Sequence, residues 1–321
     1  MFYAIRHVTR FHYSSAVSES VMELRMRPRT EGRQRCLRHE LQITPRVHIN
    51  NYRDHLGNTI HHFDVPGQHS RLSLISESVV EVLPPEDLPA SLPMTGWEES
   101  ERLFAASEHW EMQSESQFAR ETELLLEFRD ELKLDRRFDP LTTLRQLNEQ
   151  LYSAFEYRPR STRADSPIDE CLQKRGGVCQ DFAHIMTALI RGLRIPCRYV
   201  SGYIFQSATD TDKYRSPSGA THAWVEAYLP GLGWVGFDPT NNLLAGEGHI
   251  RTAIGRDYAD VPPTKGVFRG TAASELSVSV RVSTTDAPPD DNDLMILVES
   301  TPSASGSEDP AEEDQQQQQQ Q

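Results

Sequence analysis

The sequence predicts an α+β fold, in which an all-β region precedes a helical segment and then one helix packed on an antiparallel sheet. In the first 83 residues, apolar and polar residues alternate with the period of a β-strand, as in FYAIRHVTRFHY and SLISESVVEVL. From Trp97 to about Phe155, apolar residues recur at helical spacing. After Gly176-Gly177, a further helical pattern is followed by three strand-like segments. These patterns divide the chain into residues 1–95, 96–155, 156–282 and 283–321.

The N-terminal region, residues 1–95, is predicted to be a sandwich-like β domain. Asp54 and Gly57-Asn58 supply turn residues between its strands. Eight of the twelve histidines fall in this region, including the pair His61-His62. Adjacent residues of a strand point to opposite faces, so this pair cannot chelate one ion. We interpret these histidines as solvated surface residues.

A proline-rich stretch, VLPPEDLPASLP, forms the boundary to the helical segment, residues 96–155. Two apolar stripes at helical spacing predict helices here; they consist of Leu124, Leu125, Phe128 and Leu132, and of Leu144, Leu147, Leu151 and Phe155. We interpret the many glutamates of this segment as solvated helix faces, because no fixed geometry pairs any two of them for catalysis.

The composition is that of a globular protein with a sizeable core. The chain has 321 residues, of which 37% are hydrophobic and 25% charged. No run of about 18 apolar residues occurs, so the sequence predicts no membrane span. The opening MFYAIRHVTRFHY has no signal-peptide hydrophobic region, and the four cysteines show no CxxC spacing. We therefore expect a reducing, cytoplasmic location.

The net charge of −14 is unevenly distributed along the chain. No lysine or arginine follows Arg281, whereas many acidic residues do, and the chain ends in Gln315–Gln321. Such a composition buries too little apolar surface to offset the entropy of ordering, so residues 283–321 are predicted to be a disordered tail. Its one apolar run, LMILV, is interpreted as a chance pentamer, with docking on another surface as the alternative. The acidity predicts no nucleic-acid partner, because phosphate binding requires clustered Lys and Arg.

The region 156–282 contains the candidate chemistry, and Cys179 is its centre. Apolar positions after Gly177 repeat at helical spacing up to Gly192, which places Cys179 at the helix N-terminus. The helix dipole and free N–H groups stabilise an anion there, which favours a thiolate. The glycine pair allows close approach of a substrate to the backbone. The Cys179 N–H is the expected oxyanion donor, with Tyr157 as a candidate second donor and Asp181 as a helix-start residue.

Two strand-like segments supply partners for this thiol. His222 begins THAWVEAYL and Asp238 lies near the end of GWVGFDPT, with Pro230-Gly231 as a turn between them. In an antiparallel pair, these two side chains come within about 5 Å of each other. A nucleophile, a base and a group that orients the base form the arrangement needed for covalent acyl transfer. Each residue alone also has a structural interpretation, as a small buried thiol, a core histidine or a turn residue.

Four other residues near these motifs have structural interpretations. Cys171 is expected to stay reduced, because a disulfide with Cys179 would silence the thiol. Cys197 lies at a strand entry where any small apolar residue would serve. Trp224 and Trp234 are expected to pack in the core, or otherwise to form a groove wall.

Three motifs, found in this order, resemble the transglutaminase-like superfamily in its bacterial two-domain form. They are GGVCQDFAHIMTALIRGLRIPCRYVSGY, THAWVEAYLPGLGWVGFDPTNN and GRDYADVPP, and the earlier LRMRPR, ITPR and DHLGN resemble that family's bacterial N-terminal domain. The resemblance covers about residues 1–283 and implies a papain-like core. It implies Cys179 as nucleophile, His222 as general base and acid, and Asp238 as the orienting carboxylate.

The resemblance implies thiol acyl transfer on amide bonds of peptides or proteins. Water would complete the reaction in a cysteine protease or amidase, and an amine would complete it in a transglutaminase; the triad alone does not choose between them. No calcium-loop pattern of acidic ligands is visible, so no metal or cofactor is expected. The alternative is a binding or scaffold protein that keeps the fold without the chemistry. The sequence leaves the oligomeric state open.

Overall fold

The computed structural model describes residues 1–159, 161–163, 166–207 and 213–285, apart from the side chains at 107 and 108. The predicted tail from position 286 onward, with LMILV and the glutamine run, lies outside these residues. Within them, strands form two antiparallel sheets and one short parallel pair, and helices pack against the second sheet. The predicted α+β class is confirmed.

The strands and helices of this part of the chain follow the predicted order. The strands are β1 (Phe2–Leu24), β2 (Gln34–Thr44), β3 (Asn50–Arg53), β4 (Thr59–Val82), β5 (Glu156–Tyr157), β6 (Gly176–Gly177), β7 (Cys197–Ile204), β8 (Thr221–Leu229), β9 (Gly233–Asp238), β10 (Leu243–Leu244), β11 (His249–Gly255), β12 (Thr264–Arg269) and β13 (Ser274–Thr285). The α-helices are α1 (Gly96–Ala105), α2 (Glu123–Glu131), α3 (Pro140–Ala154), α4 (Ile168–Lys174) and α5 (Cys179–Gly192), and short 3-10 helices cover Ser107–Gln113 and Tyr258–Asp260. None of the helices among these residues is long and apolar enough to cross a membrane.

Six strands form the N-terminal sheet, in the order β12-β1-β4-β2, with β13 also on β1 and β3 also on β4. The strands β1 and β4 pair along most of their length, and the pairing is irregular between His12 and Glu19. An irregularity of this kind bends a strand. It separates two arms of the sheet, one flanked by β13 and β2 and the other by β12 and β3.

The C-terminal strands β12 and β13 belong to the N-terminal sheet, although both begin within residues 156–282, which the sequence patterns group with the candidate catalytic residues. The strand β13 pairs with β1 from Thr285, opposite Phe2, to Ser274, opposite Tyr13. Its alternating apolar residues are buried on one face, which fits the alternation in β1. The strand β13 extends to Thr285, so it includes the first three residues that the sequence assigned to the tail.

The interpretation of the N-terminal histidines as solvated is wrong for His7, His61 and His69, which are buried. His7 Nδ1 lies 2.9 Å from the Tyr203 hydroxyl, and His69 Nε2 lies 2.8 Å from the Ser20 hydroxyl. A neutral imidazole with hydrogen-bond partners is tolerated in a protein interior. Burial lowers the pKa of His7 to about 3, so this ring is neutral at physiological pH.

The second sheet carries the central helix. Its order is β10-β9-β8-β7-β11, antiparallel throughout, and α5 packs on β8 and β7. Every residue of α5 before Gly192 is buried, because α2, α3 and α4 cover the side away from the sheet. The predicted stripe residues Leu144, Leu147 and Leu151 are fully buried in the same core.

An apolar cluster joins the two sheets. Tyr3, Val80 and Val278 of the N-terminal sheet pack in one cluster with Tyr203 on β7 and Ile250 on β11. Two strands of the second sheet, β7 and β11, therefore pack directly against the N-terminal sheet.

A buried ionic contact adds to this junction. Arg198 on β7 contacts Glu226 on β8 at 2.6 Å and Glu31 of the N-terminal region at 3.2 Å. Removing one member of such a group would leave a buried charge uncompensated, so the contact fixes how the two regions meet.

We expect Val278→Ala to lower the free energy of unfolding by about 2 kcal/mol, because it removes two buried carbon atoms and leaves a cavity between the sheets. Val278 is 1% exposed. The matched change Val267→Ala on β12, at a residue that is 70% exposed, is expected to cost less than about 0.5 kcal/mol. Equilibrium urea denaturation measures both, and equally small effects would contradict the placement of β13.

Candidate active site

Cys179 is the first residue of α5, as the sequence predicts, and Asp181 fixes the turn before it. Val178 is extended, with φ −110° and ψ 177°, so the helix begins abruptly at the cysteine. The Asp181 carboxyl accepts the Val178 backbone N–H at 2.8 Å and the Thr162 hydroxyl at 2.5 Å. Burial raises the pKa of Asp181 to about 6. Asp181 therefore orients the segment that presents the thiol.

Of the two glycines before Cys179, Gly177 is required by packing against buried side chains of the chain itself. A Cβ atom at Gly177 would lie 2.6 Å from Asp181 Oδ2 and 2.9 Å from Cys171 Sγ. A Cβ atom at Gly176 would lie 2.7 Å from the Arg158 side chain. These contacts differ from the expectation that the glycines make room for a substrate, because the protein's own side chains occupy that space.

The imidazole of His222 and the carboxylate of Asp238 are in direct contact. β8 and β9 pair with Val225 opposite Phe237, which brings the start of β8 beside the end of β9. His222 Nε2 lies 2.8 Å from Asp238 Oδ2, and the two side chains are 1% and 0% exposed. The strand pairing predicted from the sequence thus places these two side chains together.

Five hydrogen bonds converge on the Asp238 carboxylate within the described part of the chain. Oδ1 accepts the backbone N–H groups of Thr240 and Asn241, at 3.1 and 3.3 Å. Oδ2 lies 2.8 Å from His222 Nε2, 2.8 Å from Asn241 Nδ2 and 3.2 Å from His249 Nε2. An ionised carboxylate is costly to bury without donors, and this set supplies them.

A third residue on this carboxylate, His249, belongs to none of the motifs that the sequence shows. The residue begins β11, which lies beside β7 at the edge of the sheet, with His249 opposite Ile204. The sequence feature that could have indicated this residue is a histidine at the start of the strand-like segment HIRTAIG. Its contact with Asp238 depends on the path of the chain from β10 across to β11, and no spacing rule within the sequence specifies that path.

The contact between His222 and Asp238 shifts both pKa values. Burial lowers the pKa of His222, but the Asp238 carboxylate and the Cys179 thiol outweigh it, so that this pKa rises to about 10. Burial raises the pKa of Asp238, but His222 and His249 outweigh it and hold this pKa well below its usual range. Both shifts favour the ion pair of an imidazolium and a carboxylate.

The second ring nitrogen of His222 is the one available to Cys179. Nδ1 is buried and makes no hydrogen bond to any residue that the structure describes. Asp238 and Asn241 occupy the Nε2 side of the ring, and the Cys179 side chain interacts with the imidazole. The structure therefore brings all three predicted residues together, with Cys179 and His222 each 2% exposed.

The other three cysteines are free thiols. Cys171 and Cys197 are fully buried, as expected for packing residues. Burial raises the pKa of Cys197 to about 11 and that of Cys171 well above its usual value.

The aromatic residues singled out from the sequence occupy three different environments. Trp224 is fully buried, which confirms the core interpretation, and Trp234 is half-buried with the Arg198 guanidinium 4.2 Å from its ring centroid. Tyr157 lies in β5, paired with Gly177. Its role as an oxyanion donor stays a prediction.

Two family models match this chain. Residues 3–81 match the bacterial transglutaminase-like N-terminal region, and residues 133–239 match the transglutaminase-like superfamily. An uncharacterised protein of Mycobacterium tuberculosis is 34% identical over 293 residues, which cover 87% of this chain and 92% of that protein. The chain belongs to the transglutaminase-like superfamily. The superfamily match includes Cys179, His222 and Asp238.

Two further relatives of this superfamily member carry names that describe an activity. A protein-glutamine gamma-glutamyltransferase of Pseudomonas aeruginosa is 33% identical over 133 residues, which are 40% of this chain and 20% of that protein. The crystal structure of a candidate cysteine protease from Cytophaga hutchinsonii has a TM-score of 0.68 at 22% identity and covers 90% of this chain and 93% of its own. That likeness shows a shared fold over most of the chain.

The pKa shifts predict how stability depends on pH. Folding raises the pKa of His222 from its ordinary 6.5 to about 10, so its stabilisation is complete below pH 6.5 and is lost as the pH rises through 10. We expect the free energy of unfolding to fall over this window in the wild type and to fall less in Asp238→Asn, whose amide does not stabilise an imidazolium. Urea denaturation at each pH measures the difference. Equal slopes for the two proteins would contradict the assignment.

Proposed function

We propose that this protein is a thiol acyl-transfer enzyme that acts on amide bonds of peptides or proteins through Cys179, His222 and Asp238. The observation that carries the proposal is the hydrogen bond from His222 to Asp238, which leaves the opposite ring nitrogen for the thiol. An imidazolium and a helix N-terminus both stabilise an anionic sulfur, and Cys179 has both beside it.

The proposed reaction uses this geometry in two steps. The Cys179 thiolate attacks the amide carbonyl carbon, and the Cys179 N–H at the start of α5 stabilises the oxyanion. His222 then gives its Nδ1 proton to the leaving nitrogen as the C–N bond breaks, which leaves a thioester on Cys179. Water or a primary amine attacks the thioester, His222 takes up the proton, and the C–S bond breaks to restore the thiolate.

The two names among the relatives correspond to the two ways in which this thioester is resolved. A protease transfers the acyl group to water, and a gamma-glutamyltransferase transfers it to an amine. Cys179, His222 and Asp238 serve both outcomes equally, so the proposal is the shared chemistry of the thiol. The proposed location remains the cytoplasm and the proposed partner a peptide or protein substrate.

A second candidate function is a catalytically silent binding protein, which is favoured by the burial of the site. Cys179 and His222 are only 2% exposed, so a substrate carbonyl reaches the sulfur only if neighbouring side chains give way. A protein that binds without chemistry would not require such access.

Mass spectrometry of a peptide library incubated with the protein, with and without a primary amine, distinguishes these functions. We expect cleavage, deamidation or amine attachment with the wild type, and none with Cys179→Ala, because only this thiol has an imidazolium beside it. The matched control Cys171→Ala removes a buried thiol of raised pKa and is expected to keep the activity. Products formed by Cys179→Ala, or no product with the wild type, would contradict the proposed chemistry.

A further inference from the structure

Asp238 shares one carboxylate oxygen between two imidazoles. Oδ2 lies 2.8 Å from His222 Nε2 and 3.2 Å from His249 Nε2. His222 also serves Cys179, whereas the proposed reaction assigns no step to His249. A buried histidine on the same carboxylate therefore requires its own explanation.

The hydrogen bonds of His249 define its tautomer. Nδ1 lies 3.2 Å from the backbone N–H of Gly246, which can only donate, so Nδ1 is an acceptor without a proton. A neutral ring with this acceptor carries its proton on Nε2, and Nε2 faces the Asp238 carboxylate, which accepts it. The contacts at both ends of the ring therefore agree on a neutral donor.

Packing holds this ring in place. The side chain of His249 is 5% exposed, and its ring meets the indole of Trp224 edge to face, with centroids 5.2 Å apart and an interplanar angle of 76°. Trp224 also stacks near His222, with centroids 6.1 Å apart and an angle of 25°. The two imidazoles are thus fixed against one indole and one carboxylate.

We propose that His249 is a positioning residue, which as a neutral imidazole donates from Nε2 and holds the Asp238 carboxylate in the orientation that binds His222. Two backbone N–H groups hold Oδ1, and Asn241 and His249 hold Oδ2 from two directions. The carboxylate plane is therefore fixed independently of His222. This inference rests on the proposed function, because it gives His249 a role only through the pairing of His222 with Cys179.

The titratable groups that bear on this arrangement lie around the carboxylate and around Cys179. Next to Cys179 they include Tyr199 on β7 and Tyr258, whose pKa values are both raised by burial. His222 on β8 and His249 on β11 contact the carboxylate at the end of β9, and Cys179 on α5 interacts with His222. The reactivity of Cys179 towards iodoacetamide therefore reports the state of the whole group and requires no knowledge of the substrate.

The test is the rate of Cys179 alkylation between pH 5 and 10, measured by peptide mass spectrometry on the full-length protein. We expect His249→Phe, which keeps a ring against Trp224 but loses the donor, to slow alkylation about tenfold near pH 6 and to move the profile about one pH unit higher. His249→Gln keeps an N–H donor and is expected to stay within about threefold of the wild type. His249→Asn keeps an acceptor for Gly246 but is too short to reach Asp238, so it is expected to behave like His249→Phe.

The matched control is His69→Phe, which removes another buried, hydrogen-bonded histidine, far away in the chain on β4 of the N-terminal sheet. It is expected to leave the alkylation profile unchanged. If folded His249→Phe and His249→Asn match the wild type, the positioning role is overturned while the proposed function stands. If wild-type Cys179 is no more reactive near pH 6 than Cys171, the thiol–imidazolium pair is absent. That result would contradict the proposed function itself.

Discussion

A single buried carboxylate, that of Asp238, is the constraint on which the site depends. It is fully buried, and an ionised group in that position persists only if hydrogen-bond donors replace the water it has lost. The donors come from β8, from the start of β11 and from the turn at Thr240 and Asn241. Those segments must therefore arrive at one point, and the imidazole of His222 is fixed as a consequence.

The N-terminal sheet contributes to the site through the strands that it braces. Tyr203 on β7 and Ile250 on β11 pack against Tyr3 and Val278 of that sheet, and His249 is the residue before Ile250. The position of the second histidine thus depends on packing between the two regions. A chain that lacked β13 would lose part of the surface on which β11 rests.

The sequence predicted most of the local structure around the site. The helix that begins at Cys179 follows from short-range periodicity, and the pairing of β8 with β9 follows from two short strands and one tight turn. Both were therefore predictable from the sequence. Long-range pairing was not predictable in this way. The alternation of apolar and polar residues in β13 fits any sheet edge, so the sequence does not specify its pairing with β1. His249 contacts Asp238 only because of the tertiary path of the chain. Buried histidines such as His7 were missed because their partners lie far away in sequence.

Nitrogen NMR of the His222 ring tests the central claim most directly. In the wild type at pH 7, both ring nitrogens of His222 should be protonated, because the Asp238 carboxylate and Cys179 raise its pKa to about 10 despite its burial. The same measurement on Asp238→Asn should show a neutral ring with one protonated nitrogen. A neutral His222 ring in the wild type at pH 7 would contradict the account, since the proposed thiolate would then have no cation beside it.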